Sequence, residues 1–491
     1  MRKNSDTKIW LAILFIFGLR IIIAAGMNLV PDETYYWDWS RFLSLGYFDH
    51  PPMVAWLVFL STAILGDTFW AIKAVPLLGG LGITILLFYL GRRYLIREIS
   101  LILLLVLANF TLIFSIGGLI LTPDIPMVFF WVLSLLLAYQ ALFEDKTWAW
   151  PLLGIVAGFG LLSKYVFVLF GLSFLLYLIF DSTQRKILRT WKPWSALFLS
   201  IIIFSPNIYW NIQHRWASFA FQLGSRAGQP DFGKRLTYFL EYVGAEIGLL
   251  SPFIFYVLIL ATILILKRFL RNQPLRFLLF FTFVPLFFFA LFSWRNRIEP
   301  NWPAAALITA ILLVIWFREI SLEKQGIIRF INFAIIFSVL TTFIVTMHGL
   351  FPFLPIKSEK DRTAEQRGWK EWAAEVNEIR IKSDPRLVYP VTANSYQVTS
   401  MLAFYFPDHP RTYSLNLHVR SNHYAFLPAR ENALKDTIIF VTELYQGELP
   451  KDYLEVFEYY QILKITDRPI GPEYSKHYGV LKGILRESFD G

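Results

Sequence analysis

Long apolar runs follow one another from residue 9 to residue 350, more than any soluble core can absorb. A helix that crosses a bilayer needs about 20 mostly apolar residues. Eleven candidates lie near 9–28, 69–91, 98–117, 123–143, 150–163, 165–180, 194–211, 236–266, 275–293, 303–317 and 326–350. The fifth and sixth are short and split only by Ser163-Lys164, and the eighth is long enough to tilt or to begin outside the bilayer. Hydrophobic residues make up 56% of the 491 and charged residues 17%, against roughly 45–50% and about 25% in soluble domains. Disordered, fibrous and plain globular classes are thereby excluded. The first run leads into further spans rather than a small-residue cleavage site, so it reads as an anchor and not a removed signal. The chain has no cysteine, which removes disulfides, thiol catalysis and Cys-ligated metal centres.

Charge supports a membrane map. Residues 1–351 hold 28 Lys/Arg and 17 Asp/Glu, a net of +11, whereas residues 352–491 hold 18 and 19, a net of −1. With the N-terminus in the cytoplasm, 18 of those 28 cations fall at inner helix ends, among them Arg92, Arg93, Arg185, Arg268, Arg271 and Arg318. That asymmetry is the positive-inside pattern, and it argues against reading the basic excess as a nucleic-acid site. An odd number of spans then places residues 352–491 outside the cytoplasm. Two units are expected: an all-α polytopic membrane domain over 1–351 and a small soluble α/β domain over 352–491. In the tail, Trp369, Trp372, Val376 and Ile379 mark one helical face. β-like runs occur at 386–391, 437–442 and 461–465, with a helical stretch near 396–405.

Three segments on the expected outer side are too rich in aromatic and ionisable residues to be plain connectors: 29–67, 212–235 and 294–302. The apolar stretch 53–65 fits a helix lying in the interface. Asp32 and Glu33 follow Pro31, and Asp124 follows Thr122-Pro123, so each has a capping explanation in a first helical turn. Yet Asp32, Glu33, Asp49 and Asp124 all map to one outer face, and carboxylates at a membrane boundary are costly unless paired or used. A shared active site is the better reading. His50 stands before Pro51-Pro52, which forces an extended backbone. Lys164, Arg295 and Arg297 could meet a lipid phosphate or could merely snorkel or anchor a helix. Arg20 lies inside the first run and, if deep, needs a partner such as a carboxylate. Tyr35 and Tyr36 could stack on a sugar or belong to an interfacial aromatic belt.

The Asp32-Glu33 pair with Tyr35-Tyr36, the block Gly46-Tyr47-Phe48-Asp49-His50-Pro51-Pro52 and Thr122-Pro123-Asp124-Ile125-Pro126 together resemble the GT-C glycosyltransferases. The likeness is to the bacterial branch related to protein O-mannosyltransferases and lipid A aminoarabinose transferases. Gly160–Tyr165, Pro206–Asn211 and Asn301-Trp302-Pro303 look like further blocks, and the resemblance covers about 1–305. It implies a GT-C-type membrane fold of about 11 spans and a sugar taken from a polyprenyl-phosphate carrier. By motif position Asp32 would be the catalytic carboxylate, with Glu33 and Asp124 beside it. His50, Lys164 and Arg297 would bind the donor phosphate, and Tyr35, Tyr36 and Asp49 would line the sugar or acceptor pocket. In the aminoarabinose transferases a lysine stands where this chain has His50, and histidine is charged only part of the time at neutral pH. The counterpart of Asp49 shares a metal site with a histidine, for which His214 is the nearby candidate; the metal is unknown, and a divalent ion is left open.

A sugar on a phosphodiester already has an activated anomeric carbon. The enzyme must take a proton from the acceptor and neutralise the departing phosphate. One base with direct attack gives inversion, while retention needs a second carboxylate as nucleophile. The expected activity is therefore transfer to a lipid, glycan or protein at the outer face of a bacterial inner membrane. No P-loop or GxGxxG in a strand–turn–helix setting is present, in keeping with a donor that is not a nucleotide sugar. The rival reading is a transporter or lipid flippase, which would place its ionisable groups near the midplane of repeated halves.

Overall fold

The computed structural model describes residues 2–223, 231–267, 272–417, 420–427, 433–445 and 447–486. Residues 224–230 of the second outer segment, and Arg268 and Arg271 of the inner cations, lie outside the described residues. The first helix, α1 (Arg2–Ala25), is followed by α2 (Pro31–Ser40), α3 (Met53–Leu65) and α4 (Phe69–Gly91). The Thr68 hydroxyl caps α4 by accepting the Ala71 N–H at 3.2 Å. Next come α5 (Glu98–Phe110), α6 (Leu112–Gly117), α7 (Asp124–Phe143), α8 (Ala149–Ser163), α9 (Val168–Phe180) and α10 (Trp191–Gln213). The membrane part ends with α11 (Ala217–Leu223), α12 (Phe232–Leu250), α13 (Pro252–Lys267), α14 (Gln273–Ser293), α15 (Ala304–Ile320) and α16 (Gln325–Leu350).

Each of the eleven apolar runs is helical, and among the described residues six helices (in α1, α4, α7, α10, α14 and α16) are individually long and apolar enough to cross a bilayer. Two runs expected to be continuous are broken. The run 98–117 is interrupted at Thr111, whose backbone is extended. The run 236–266 bends by 98° between α12 and α13, where Ser251 has φ +86 and the following proline has no N–H with which to continue the helix. The short neighbours α8 and α9 are parted by Lys164 in an extended conformation and a 3-10 turn over Tyr165–Phe167. α3 is the short apolar helix expected within the first outer loop. One large apolar core joins residues of α1, α4, α5, α7, α8, α13, α14 and α15. In lipid such helices are held by close van der Waals packing rather than by water exclusion.

The tail is a small α/β unit. α17 (Trp369–Ser383) buries Trp369, Trp372 and Val376. Strand β1 (Val391–Ala393), α18 (Tyr396–Tyr405) and β2 (Thr412–Ser414) form a parallel crossover, and β1 also runs parallel to β3 (Ile438–Glu443). A long hairpin of β4 (Phe457–Gly471) and β5 (Tyr474–Leu485) completes a sheet of order β2-β1-β3-β5-β4. The strand expected over 386–391 is confined to Val391–Ala393, because the chain reaches β1 through Leu387 at φ +53. This unit is fastened to α2. The Thr34 and Ser400 hydroxyls are 2.9 Å apart, Tyr424 donates to Asp38 at 2.7 Å, and Arg41 donates to the His409 carbonyl at 2.7 Å.

Candidate active site

α2 begins as the capping logic requires, with Val30 extended and Pro31 as the first helical residue. The two acidic residues after it then diverge. Glu33 is fully buried and receives Lys73 Nζ at 2.8 Å on both oxygens, the Leu121 N–H at 3.0 Å and the Val30 N–H at 3.0 Å. It joins α2, α4 and the segment before α7. Asp32, one residue earlier, lines a polar cavity of about 440 Å³. Its Oδ1 accepts the Tyr396 hydroxyl from α18 at 2.9 Å. Burial pushes the Asp32 carboxyl up to about 6; the Tyr396 bond pulls it down, and the carboxylates of Glu365, Asp49 and Glu33 push it further up.

The same cavity gathers Tyr35, Tyr36, Asp49, His50, Asp124 and Lys164. Tyr35 donates to Asp49 Oδ2 at 2.7 Å and accepts the His423 N–H at 2.7 Å. Arg420 reaches Asp49 Oδ1 at 2.9 Å, and the Asp49 carbonyl accepts Gln222 at 2.6 Å. Asp124 opens α7 and is doubly held: Lys164 Nζ lies 2.7 Å from Oδ1 and Asn301 Nδ2 lies 2.6 Å from Oδ2. The break between α8 and α9 is what delivers Lys164 to this point. Tyr165, next to it, donates to Asn207 at 3.0 Å, so the blocks around 165 and 207 converge behind the cavity.

Two expected site residues are not brought in. Glu33 is enclosed by its own partners. Arg297 is exposed and pairs with Glu241 at 3.2 Å, because the loop before α15 presents Glu299, Asn301 and Trp302 to the cavity instead. Among the described residues Arg20 finds no carboxylate; it donates to the Phe114 carbonyl at 2.8 Å. His214 stacks on Trp210 with ring centroids 4.0 Å apart and directs Nδ1 to the Trp210 carbonyl at 2.8 Å. Among the described residues no group of three or more His, Asp or Glu is placed to hold a metal. The residues that sequence reasoning missed are Lys73, Arg362, Glu365, Tyr396 and Arg420. For Lys73 there was a signal, a lone lysine in an apolar run. The other four come from the tail, where no motif marks them.

Comparison with known proteins follows the same outline. The family described as dolichyl-phosphate-mannose-protein mannosyltransferase matches residues 49–210. The lipid A galacturonosyltransferase RgtD of Rhizobium johnstonii is 27% identical over 306 residues, covering 60% of this chain and 61% of that protein. An undecaprenyl phosphate-alpha-4-amino-4-deoxy-L-arabinose arabinosyl transferase of Pseudomonas aeruginosa is 30% identical over 207 residues, 38% of this chain and 37% of that one. The chain thus matches less than two thirds of the length of either relative. The apo structure of ArnT from Cupriavidus metallidurans superposes with a TM-score of 0.64 at 14% identity, covering 97% of this chain and 98% of that one. The chain has the GT-C fold. ArnT bound to undecaprenyl phosphate has the same GT-C architecture, with a TM-score of 0.59 at 13% identity over the full length of both chains. In this GT-C fold the cavity lies where α2, the starts of α7 and α15, the break after α8 and the tail unit meet.

Proposed function

We propose that this protein is an integral membrane glycosyltransferase. It moves a sugar from a polyprenyl-phosphate carrier to a hydroxyl of a lipid, glycan or protein at the outer face of a bacterial inner membrane. The observation that carries the reading is Asp32: a desolvated carboxyl with a raised pKa of about 6, lining a polar cavity and held by one hydroxyl. Such a group is poised to take a proton near neutral pH. The relatives' names, a galacturonosyltransferase and an undecaprenyl-phosphate arabinosyl transferase, support the donor class. The N-terminus is cytoplasmic and residues 352–491 are extracytoplasmic in this reading, on the strength of the basic asymmetry.

Asp32 accepts the acceptor's hydroxyl proton as that oxygen attacks the anomeric carbon. The bond from that carbon to the phosphate oxygen breaks, and polyprenyl phosphate leaves with the electron pair. Both oxygens of Asp124 are engaged by Lys164 and Asn301, so it is not free to act as a nucleophile, which favours single displacement with inversion. Arg420, Arg362 and His50 line the cavity and supply donors for the departing phosphate, with Lys164 reaching the same space from its pair with Asp124. Arg297 and Glu33 are left out of the chemistry. Nothing in the site favours transport: the ionisable groups gather at one end of the spans rather than midway along them. The test is purified protein in nanodiscs with labelled polyprenyl-phosphate sugars. Transfer of label with release of polyprenyl phosphate is expected; movement of the lipid between leaflets without transfer would overturn the reading.

A further inference from the structure

On the membrane side of Asp32 and Asp124 lies a second chamber of about 320 Å³ with largely aliphatic walls. It shares Asp32, Thr122, Asp124 and Asn301 with the polar cavity. Arg20 projects into it from α1, five residues before the helix ends at Ala25, which is roughly 8 Å along the axis. Arg20 is only 5% exposed. Of its five N–H donors, one is met by the Phe114 carbonyl at 2.8 Å, and no carboxylate among the described residues pairs with it. The Asp124 oxygens are held by Lys164 and Asn301, and the Asp32 Oδ1 by Tyr396. The guanidinium lies against the backbone of Gly80 and Gly118, where a Cβ at either position would meet it. Asn109, the other long polar side chain of the chamber, is satisfied by Thr84 and the Leu105 carbonyl.

A guanidinium stays charged at any physiological pH, and desolvating it without a counter-ion is expensive. A fork of unused donors at the wall of an apolar chamber suits a phosphate whose stem is hydrocarbon. We propose that Arg20 is the receptor for a lipid-borne phosphate, which enters the chamber from the bilayer and lies beside Asp32 and Asp124. This rests on the glycosyltransferase reading for its biological sense, but not for its test. The phosphate belongs either to the polyprenyl carrier or to a phosphorylated acceptor lipid, and the chemistry recognised is the same.

The experiment measures lipid binding to the full-length protein in maltoside micelles, without sugar transfer. The probes are undecaprenyl phosphate, a diphosphorylated lipid A and the same lipid A stripped of phosphate. The variants are Arg20→Met, which keeps length without charge, and Arg20→Gln, should the first not fold. Wild type is expected to bind at least one phosphorylated probe roughly 10- to 100-fold more tightly than the variant does, with the melting temperature unchanged or raised because an uncompensated charge is gone. The dephosphorylated lipid should bind both proteins alike. Loss for undecaprenyl phosphate identifies the carrier, and loss for phosphorylated lipid A identifies the acceptor. Equal binding of both phosphorylated probes by wild type and variant would overturn the proposal, as would wild type binding neither. An enzyme that transferred no sugar would contradict the glycosyltransferase reading and leave these binding results standing.

Discussion

Adjacent carboxylates at positions 32 and 33 have opposite surroundings because a helix turns about 100° per residue. One side of α2 meets α4 and its Lys73; the other meets the cavity and Tyr396. For Asp32 the raised pKa predicts a kcat/KM that rises as pH increases through about 6 and then levels, since only the ionised form takes a proton. The Tyr396 hydroxyl lowers that pKa, so in Tyr396→Phe the inflection should move to higher pH in a profile measured between pH 5 and 9. A carboxyl whose folded pKa is raised stabilises the fold below its unfolded pKa, and that contribution is lost as pH climbs through the folded value. At pH 8, Asp32→Asn should therefore melt no lower than wild type. Substitution at Glu33 should destabilise instead, because its carboxylate is paired inside the protein. Removing one partner of a buried pair leaves a naked charge and costs about 3–5 kcal/mol. Glu33→Gln and Lys73→Met should each depress thermal stability sharply, and the double variant should recover much of the loss. Full activity and stability in Glu33→Gln would count against a structural role.

At the scale of elements, the interruptions do the positioning. The break between α8 and α9 hands Lys164 to Asp124, and the bend at Ser251-Pro252 brings the end of α12 to the membrane-side chamber. The length of the apolar runs located the long membrane helices, because a run of about 20 apolar residues has few other destinations. It could not locate the breaks at Thr111 and Ser251, since a short apolar helix and a bent one have the same composition as a straight span. α8 and α10 pack so closely that a Cβ at Gly154 would collide with the Ala196 carbonyl. A backbone atom cannot rotate away. Gly154→Ala should lower the melting temperature measurably in detergent, while Arg297→Ala, whose exposed ion pair is worth roughly 0–1 kcal/mol, should not.

For the whole molecule, the site is completed across the chain: Tyr396 meets Asp32 over 364 residues and Arg420 meets Asp49 over 371. That distance is why the first-loop half of the site was legible and the tail half was not. Asp32, Asp49, His50 and Asp124 sit in local patterns that a sequence displays, whereas Tyr396 is one of 23 tyrosines and is singled out only by the docking of α18 on α2. The fold also requires the tail and the acidic loop to share one side of the membrane. With 18 of 28 cations at inner ends, we propose that this side is the outer one, so an alkaline phosphatase fused after residue 491 should be active; activity of a cytosolic reporter there would reverse the map. The central claim is that Asp32 takes the acceptor's proton. Asparagine at 32 keeps the shape and caps a helix about as well as aspartate, but it cannot accept that proton. Transfer of labelled sugar from a polyprenyl-phosphate donor by purified Asp32→Asn should fall by roughly 10²–10⁴-fold with protein yield unchanged, and transfer at the wild-type rate would contradict the account.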